Sequence, residues 1–129
     1  MKRLICFDLD GTLSQHKTQI PQESKELLDK LSERYKILMV GAGNAPRIWN
    51  QMNKYPIDII GNYGLQFAEY NKETGDIEIK RDVVLPCDRE SVEARVNMLR
   101  EKYGFTEYAG DSVEFHPSGC VTFAILGTK

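Results

Sequence analysis

At 129 residues the chain is long enough for one ordinary domain with a real core. A net charge of -2 and a pI of about 5.7, with positive charges scattered along the chain, exclude a nucleic-acid footprint. No stretch approaches the roughly 18 apolar residues of a membrane span.

The opening Met1-Lys2-Arg3 leads into an apolar run too short for a signal peptide and ended by Asp8. That run, Leu4 to Phe7, predicts a parallel strand buried on both faces. Pro21 starts a helix reaching about Arg34, with Leu27, Leu28 and Leu31 on one side. Lys36 to Val40 reads as a second buried strand, ended by Gly41-Ala42-Gly43-Asn44. Asn44 is placed to cap a helix whose inner face carries Ile48, Trp49 and Met52, with Pro46 tolerated in the first turn. Ile57 to Ile60 reads as a third strand, closed by Gly61-Asn62-Tyr63-Gly64. Strand, helix, strand, helix, strand is the pattern of a parallel sheet with crossover helices.

Beyond Gly64 the pattern changes. Leu65 to Tyr70 and Ile77 to Ile79 flank a turn and predict a hairpin, and Val83 to Cys87 reads as a connector. Asp88 caps a third helix with Val92, Val96, Leu99 and Tyr103 on one stripe, stopped by Gly104. Ser112 to Phe115 and Cys120 to Leu126 predict two strands turning through His116-Pro117-Ser118-Gly119. Trp49, Met52 and Tyr103 are expected in the core, and Glu90, Glu93 and Arg95 on a solvated helix face. Cys6, Cys87 and Cys120 are odd in number and widely spaced, in neither a zinc pattern nor a disulfide framework. They are expected to pack beside apolar runs in a reducing cytoplasm. His16 and His116 lack partners at metal-ligand spacing, so surface roles are expected for both.

Parallel sheets bind ligands at the carboxyl ends of their strands, where Asp8–Thr12, Gly41–Asn44 and Gly61–Gly64 all fall. Phe7-Asp8-Leu9-Asp10-Gly11-Thr12 is the most informative of these segments. Residues two apart in extended backbone point the same way, so Asp8 and Asp10 can face one site. One carboxylate, Asp8, suits nucleophilic attack on phosphorus, giving an aspartyl-phosphate. Asp10 suits protonation of the leaving oxygen and then activation of water. Gly11 and Thr12 are expected to offer N–H groups, and Thr12 its hydroxyl, to phosphoryl oxygens. Two carboxylates beside a phosphate dianion repel it, which calls for Mg²⁺ held by Asp8 and the Asp10 carbonyl. Gly41, Ala42, Gly43 and Asn44 can bind phosphate through N–H groups or can form a plain tight turn. For Asn62 alone, the turn is the simpler reading.

Phe7 to Leu13 resembles the first motif of the haloacid dehalogenase superfamily of phosphatases and phosphomutases. The order in which Val40–Asn44, Gly61–Leu65, Val113–Phe115 and Ile125–Gly127 follow is similar to its sugar-phosphate branch, phosphomannomutases above all. The resemblance implies an α/β fold: a Rossmann-like parallel sheet with crossover helices, incomplete as a core, plus the first helix-strand-strand of an α+β cap. Residues 1–83 would be the N-terminal part of the core and 84–129 the start of the cap. Asp8 would be the nucleophile, Asp10 the acid/base and Mg²⁺-carbonyl residue, and Gly41–Gly43 the second motif, where most of the superfamily has a Ser or Thr and this chain has none. Where the mutase cap uses arginines, this chain has Ala109, His116 and Thr128-Lys129, which favours hydrolysis over phosphate transfer between positions. The superfamily's lysine and acidic cluster follow the cap, and nothing after residue 126 matches them, so the chain reads as an N-terminal fragment.

The expectation is therefore a Mg²⁺-dependent phosphohydrolase of a phosphorylated sugar or similar small metabolite. A phosphomannomutase-type isomerase and a truncated, non-catalytic phosphate- or partner-binding module are the alternatives. No nucleic-acid or membrane partner is expected, and an incomplete sheet edge predicts self-association.

Overall fold

The computed structural model describes residues 3–129. The chain divides into two units, one ending at Val83 and the other spanning Val84–Lys129.

The first unit is a five-stranded mixed sheet in the order β1-β2-β3-β4-β5. Its strands are β1 (Arg3–Phe7), β2 (Tyr35–Val40), β3 (Asp58–Gly61), β4 (Gln66–Asn71) and β5 (Asp76–Asp82). β1, β2 and β3 run parallel, because helices α1 (Gln22–Ser32) and α2 (Ala45–Gln51) carry the chain back between them. β4 and β5 are antiparallel, joined through the short turn at residues 72–75. This is the expected α/β fold, its parallel half followed by a hairpin.

The core follows the two periodicities. Ile37 and Met39 of β2, Ile59 of β3 and Ala68 of β4 alternate with half-buried or exposed neighbours, and they meet Leu28 of α1 and Ile48 and Trp49 of α2. Leu28, Met39, Met52 and Ile59 are fully buried, and truncation of any one to Ala costs about 2–5 kcal/mol. Asn44 caps α2 as its sequence position suggested, its Oδ1 accepting from the Arg47 N–H at 2.9 Å.

Three expectations are corrected. β1 is an edge strand rather than one buried on both faces: Leu4 is 55% exposed and Cys6 is also exposed. Among the described residues no strand pairs with its outer side. Leu27 points to solvent, leaving Leu28 and Leu31 to carry the inner face of α1. Cys87 and Cys120, in the second unit, are half-buried, so none of the three free cysteines belongs to a core.

The second unit is built on α3 (Arg89–Tyr103) and the antiparallel pair β6 (Val113–Phe115) and β7 (Val121–Phe123). Asp88 receives both the N–H and the hydroxyl of Ser91, and Gly104, at φ +77°, ends the helix in the left-handed conformation that glycine tolerates best. Tyr103 is exposed, not core; the buried positions on that helix are Val96 and Arg100. The Arg100 guanidinium donates to Ser112 Oγ and to the carbonyls of Phe105, Ala124 and Ile125, and it lies 4.0 Å from the Tyr108 ring centroid. A planar donor fork set among carbonyls has an acceptor for each of its three nitrogens there without a carboxylate. The same contacts explain why β7 stops at Phe123, since the Ala124 and Ile125 carbonyls are turned toward Arg100.

Candidate active site

The loop after β1 is wound around one carbonyl. Leu9 O accepts the N–H groups of Thr12, Leu13 and Ser14 at 3.0–3.2 Å, and Gly11 N–H donates to Ser14 O at 2.7 Å. Gly11 sits at φ +79°, a conformation costly for any residue with a Cβ. Leu9 and Leu13 are buried and pin the loop to the core, while Asp8 is exposed and Asp10 half-buried.

This geometry changes the roles available to Gly11 and Thr12. Their N–H groups are used inside the loop, so they are not the free phosphate donors expected from the sequence. The Thr12 hydroxyl donates instead to Asp8 Oδ2 at 3.3 Å. The free groups lie one residue earlier. Among the described residues, neither the N–H nor the carbonyl of Asp10 forms a hydrogen bond, beside a Leu9 carbonyl that accepts three from the backbone.

Asp10 carries the most elaborate environment of the predicted site residues. Its Oδ1 accepts Gln51 Nε2 at 2.5 Å and Lys17 N–H at 3.0 Å, and its Oδ2 lies 3.8 Å from His16 Nδ1. The Gln51 hydrogen bond, then the Lys17 N–H, hold the Asp10 carboxyl below its usual range; partial burial opposes them, and His16 and Arg47 add positive potential. Asp10 is therefore a carboxylate at neutral pH. His16, expected on the surface, is exposed but stands next to this group. Sequence reasoning gave Gln51 no role, because no local signal links two residues 41 positions apart.

The second and third loops are bonded to each other. Gly41 N–H donates to Ile60 O, Asn62 N–H to Gly43 O at 2.8 Å, and Tyr63 N–H to Gly41 O at 3.4 Å. A Cβ on Gly61 would meet Gly43 O at 2.7 Å and Ala45 N at 2.8 Å, so only glycine admits this approach. Buried Gln66 of β4 completes the contact by accepting Ala45 N–H at 2.7 Å through its Oε1. With their carbonyls turned toward the third loop, Gly41 and Gly43 leave a turn in which Ala42, Gly43 and Asn44 N–H groups have no intramolecular acceptor among the described residues. Asn44 spends its side chain on the helix cap and offers only its backbone. No hydroxyl lies in residues 41–43.

Among the described residues, no three His, Cys, Asp or Glu side chains gather around a potential metal position. The two first-loop aspartates, with the unbonded Asp10 carbonyl, offer oxygen ligands at this edge.

The mixed sheet with a two-aspartate loop at the end of its first strand accords with a haloacid dehalogenase-like hydrolase, and the family model of that description matches residues 5–84. The chain belongs to this family. Phosphomannomutase 2 of Dictyostelium discoideum is 38% identical over 69 residues, a stretch covering 53% of this chain and 26% of that protein. Among solved structures, the phosphatase BT1666 of Bacteroides thetaiotaomicron superposes with a TM-score of 0.55 at 21% identity, over 94% of this chain and 41% of the other. A haloacid dehalogenase-like hydrolase from B. subtilis superposes with a TM-score of 0.53 at 16% identity, over 78% and 34%. The chain thus spans about a quarter of the curated relative and about two-fifths or less of these solved chains.

Proposed function

We propose that the chain carries the nucleophile of a Mg²⁺-dependent phosphohydrolase that acts on a phosphorylated sugar or similar small metabolite. The observation that carries this reading is the division of labour between the two aspartates. Asp8 is exposed at the strand end with a hydroxyl on one oxygen, whereas Asp10 is held by donors from two other segments.

In this reading Asp8 attacks phosphorus and becomes the aspartyl-phosphate, while Asp10 passes the proton to the leaving oxygen. Asp10 is ionised in the resting site, and a bound phosphate dianion counters that by pushing its pKa up. The N–H groups of Asp10, Ala42, Gly43 and Asn44 are the donors proposed for the phosphoryl oxygens. They take the place of the Ser or Thr hydroxyl that residues 41–43 lack. The donor set fits Mg²⁺, which takes one or two carboxylates together with substrate oxygens and water. Asp8 and the Asp10 carbonyl would hold it, and when bound it would neutralise charge between carboxylates and phosphate.

Val84–Lys129 is proposed as the start of the cap, and a reducing cytoplasm as the compartment. A second copy of this chain is the partner proposed for the outer edge of β1. No helix among the described residues is long and apolar enough to cross a membrane.

The test is release of inorganic phosphate from a panel of sugar phosphates, with and without Mg²⁺. Release is expected only with the metal and is expected to vanish in Asp8→Asn; activity persisting in that variant rejects Asp8 as nucleophile. The identity with phosphomannomutase 2 favours one second reading, transfer between the 1- and 6-positions of a hexose phosphate. Formation of hexose 6-phosphate from the 1-phosphate, in place of free phosphate, would select it.

A further inference from the structure

The two oxygens of the Asp10 carboxylate are not equivalent. Oδ1 accepts Gln51 Nε2 at 2.5 Å and Lys17 N–H at 3.0 Å, so both of its lone-pair directions are in use. Oδ2 accepts no hydrogen bond among the described residues; its neighbour is the exposed His16 Nδ1 at 3.8 Å.

The arrangement on Oδ1 is held from both sides. Gln51 ends α2 and is half-buried, and its carbonyl accepts Ile20 N–H at 3.0 Å, which ties it to the far end of the same loop. Lys17 delivers its N–H from φ +56°, a left-handed conformation unfavourable for a lysine. A strained residue and a side chain 41 positions away thus converge on one oxygen.

We propose that Gln51 is the positioning residue for Asp10: with the Lys17 N–H it occupies Oδ1, fixes the carboxyl plane, and leaves Oδ2 as the oxygen that exchanges the proton. The proposal rests on the acid/base reading of Asp10 given above. On substrate binding Oδ2 takes up a proton from solvent; in the first step that proton passes to the ester oxygen as its bond to phosphorus breaks, the Asp8–phosphorus bond forms and the alcohol leaves. In the second, Oδ2 takes a proton from the attacking water as the Asp8–phosphorus bond breaks. Gln51 touches neither substrate nor reacting atoms.

A positioning role is separable from a structural one by the leaving group. A sugar alkoxide needs the Asp10 proton, whereas 4-nitrophenolate leaves as a stable anion and needs little help. The value of kcat/KM reports phosphoryl transfer from substrate to Asp8 in both cases. In Gln51→Met, which keeps length and loses the donor, kcat/KM for a hexose 6-phosphate is expected to fall about 10- to 100-fold. For 4-nitrophenyl phosphate the change is expected to stay under about threefold, with the melting temperature unchanged. Gln51→Glu, which sets a second carboxylate against Oδ1, is expected to show the same split. Equal losses on both esters would assign Gln51 a structural role, and no loss on either would leave it none; both overturn the proposal.

A second arm reads the contact itself. The Gln51 side-chain amide protons are expected to shift in the NMR spectrum of the full chain on Asp10→Ala. Amide signals that stay in place remove the contact and the proposal with it. If both esters are hydrolysed as well in Asp8→Asn as in the parent chain, the nucleophile reading fails first and takes the acid/base reading and this proposal with it. That pattern is distinct from a Gln51 effect missing in an Asp8-dependent enzyme.

Discussion

The Oε1 of Gln66 accepts the Ala45 N–H at 2.7 Å, so β4 holds the first residue of α2 across 21 positions of sequence. Both residues are buried, which leaves the amide and its acceptor no water to fall back on. Replacing Gln66 by Leu removes the acceptor and strands the Ala45 N–H. The expected cost is about 1–3 kcal/mol in denaturant titration. Gln66→Glu keeps the acceptor and is expected to cost less at neutral pH. The opposite ranking would mean that Gln66 matters for shape rather than for this bond.

Gly61 controls how closely the third loop approaches the second. Its missing Cβ would lie 2.7 Å from Gly43 O and 2.8 Å from Ala45 N, both backbone atoms that cannot swing aside. Gly61→Ala is therefore expected to push residues 43–45 outward and to destabilise the first unit by about 1–3 kcal/mol. Because the free N–H groups of Ala42, Gly43 and Asn44 sit in the displaced turn, inorganic phosphate binding should weaken with it. Calorimetric titration with phosphate measures this, and an unchanged affinity would separate the turn from the proposed site.

Tyr55 supplies a pH dependence with a definite sign. Its hydroxyl donates to Asp29 Oδ1 at 2.6 Å, while Trp49 Nε1 donates to its carbonyl at 2.8 Å. Burial, then the Asp29 carboxylate, push the phenol pKa well above its ordinary value. The folded state thus prefers the protonated phenol. Its contribution is complete below the unfolded tyrosine pKa of about 10 and is lost as pH rises above it toward the folded value. Chemical denaturation at roughly pH 8 and 11 should show a stability loss that Tyr55→Phe largely removes. At the lower pH, Tyr55→Phe itself is expected to cost about 1 kcal/mol through the missing hydrogen bond.

The features legible in the sequence are those written locally. Asn44 and Asp88 lie one residue before their helices, and Gly104 lies just after α3, because caps depend on neighbours three or four positions away. The Asp8–Thr12 loop is legible as a candidate site for the same reason. What escaped depends on distant partners. β1 has the composition of a strand buried on both faces, yet its burial is set by which strands flank it, and among the described residues β2 alone does so. Arg100, which lay off the expected stripe of Val92, Val96, Leu99 and Tyr103, is buried while Tyr103 is not, since its donors meet carbonyls from residues 105, 124 and 125. β5 runs on to Asp82 through a charged stretch, held by pairing with β4 rather than by its own apolar pattern. Within the site, the loop's own hydrogen bonds withdrew the Gly11 and Thr12 N–H groups, and the hold of Gln51 on Asp10 spans too many residues for any motif to contain.

The most direct measurement asks whether phosphate ever becomes bonded to Asp8. The chain is mixed with Mg²⁺ and a sugar phosphate and quenched in acid, where acyl phosphates survive. Pepsin digestion in the same acid and mass spectrometry then examine the peptide that contains Asp8. One phosphoryl group on that peptide, located at Asp8, removed by hydroxylamine and absent from Asp8→Asn, is the expected result. Turnover of the same sugar phosphate with that peptide never modified, and equally fast in Asp8→Asn, would contradict the aspartyl-phosphate reading.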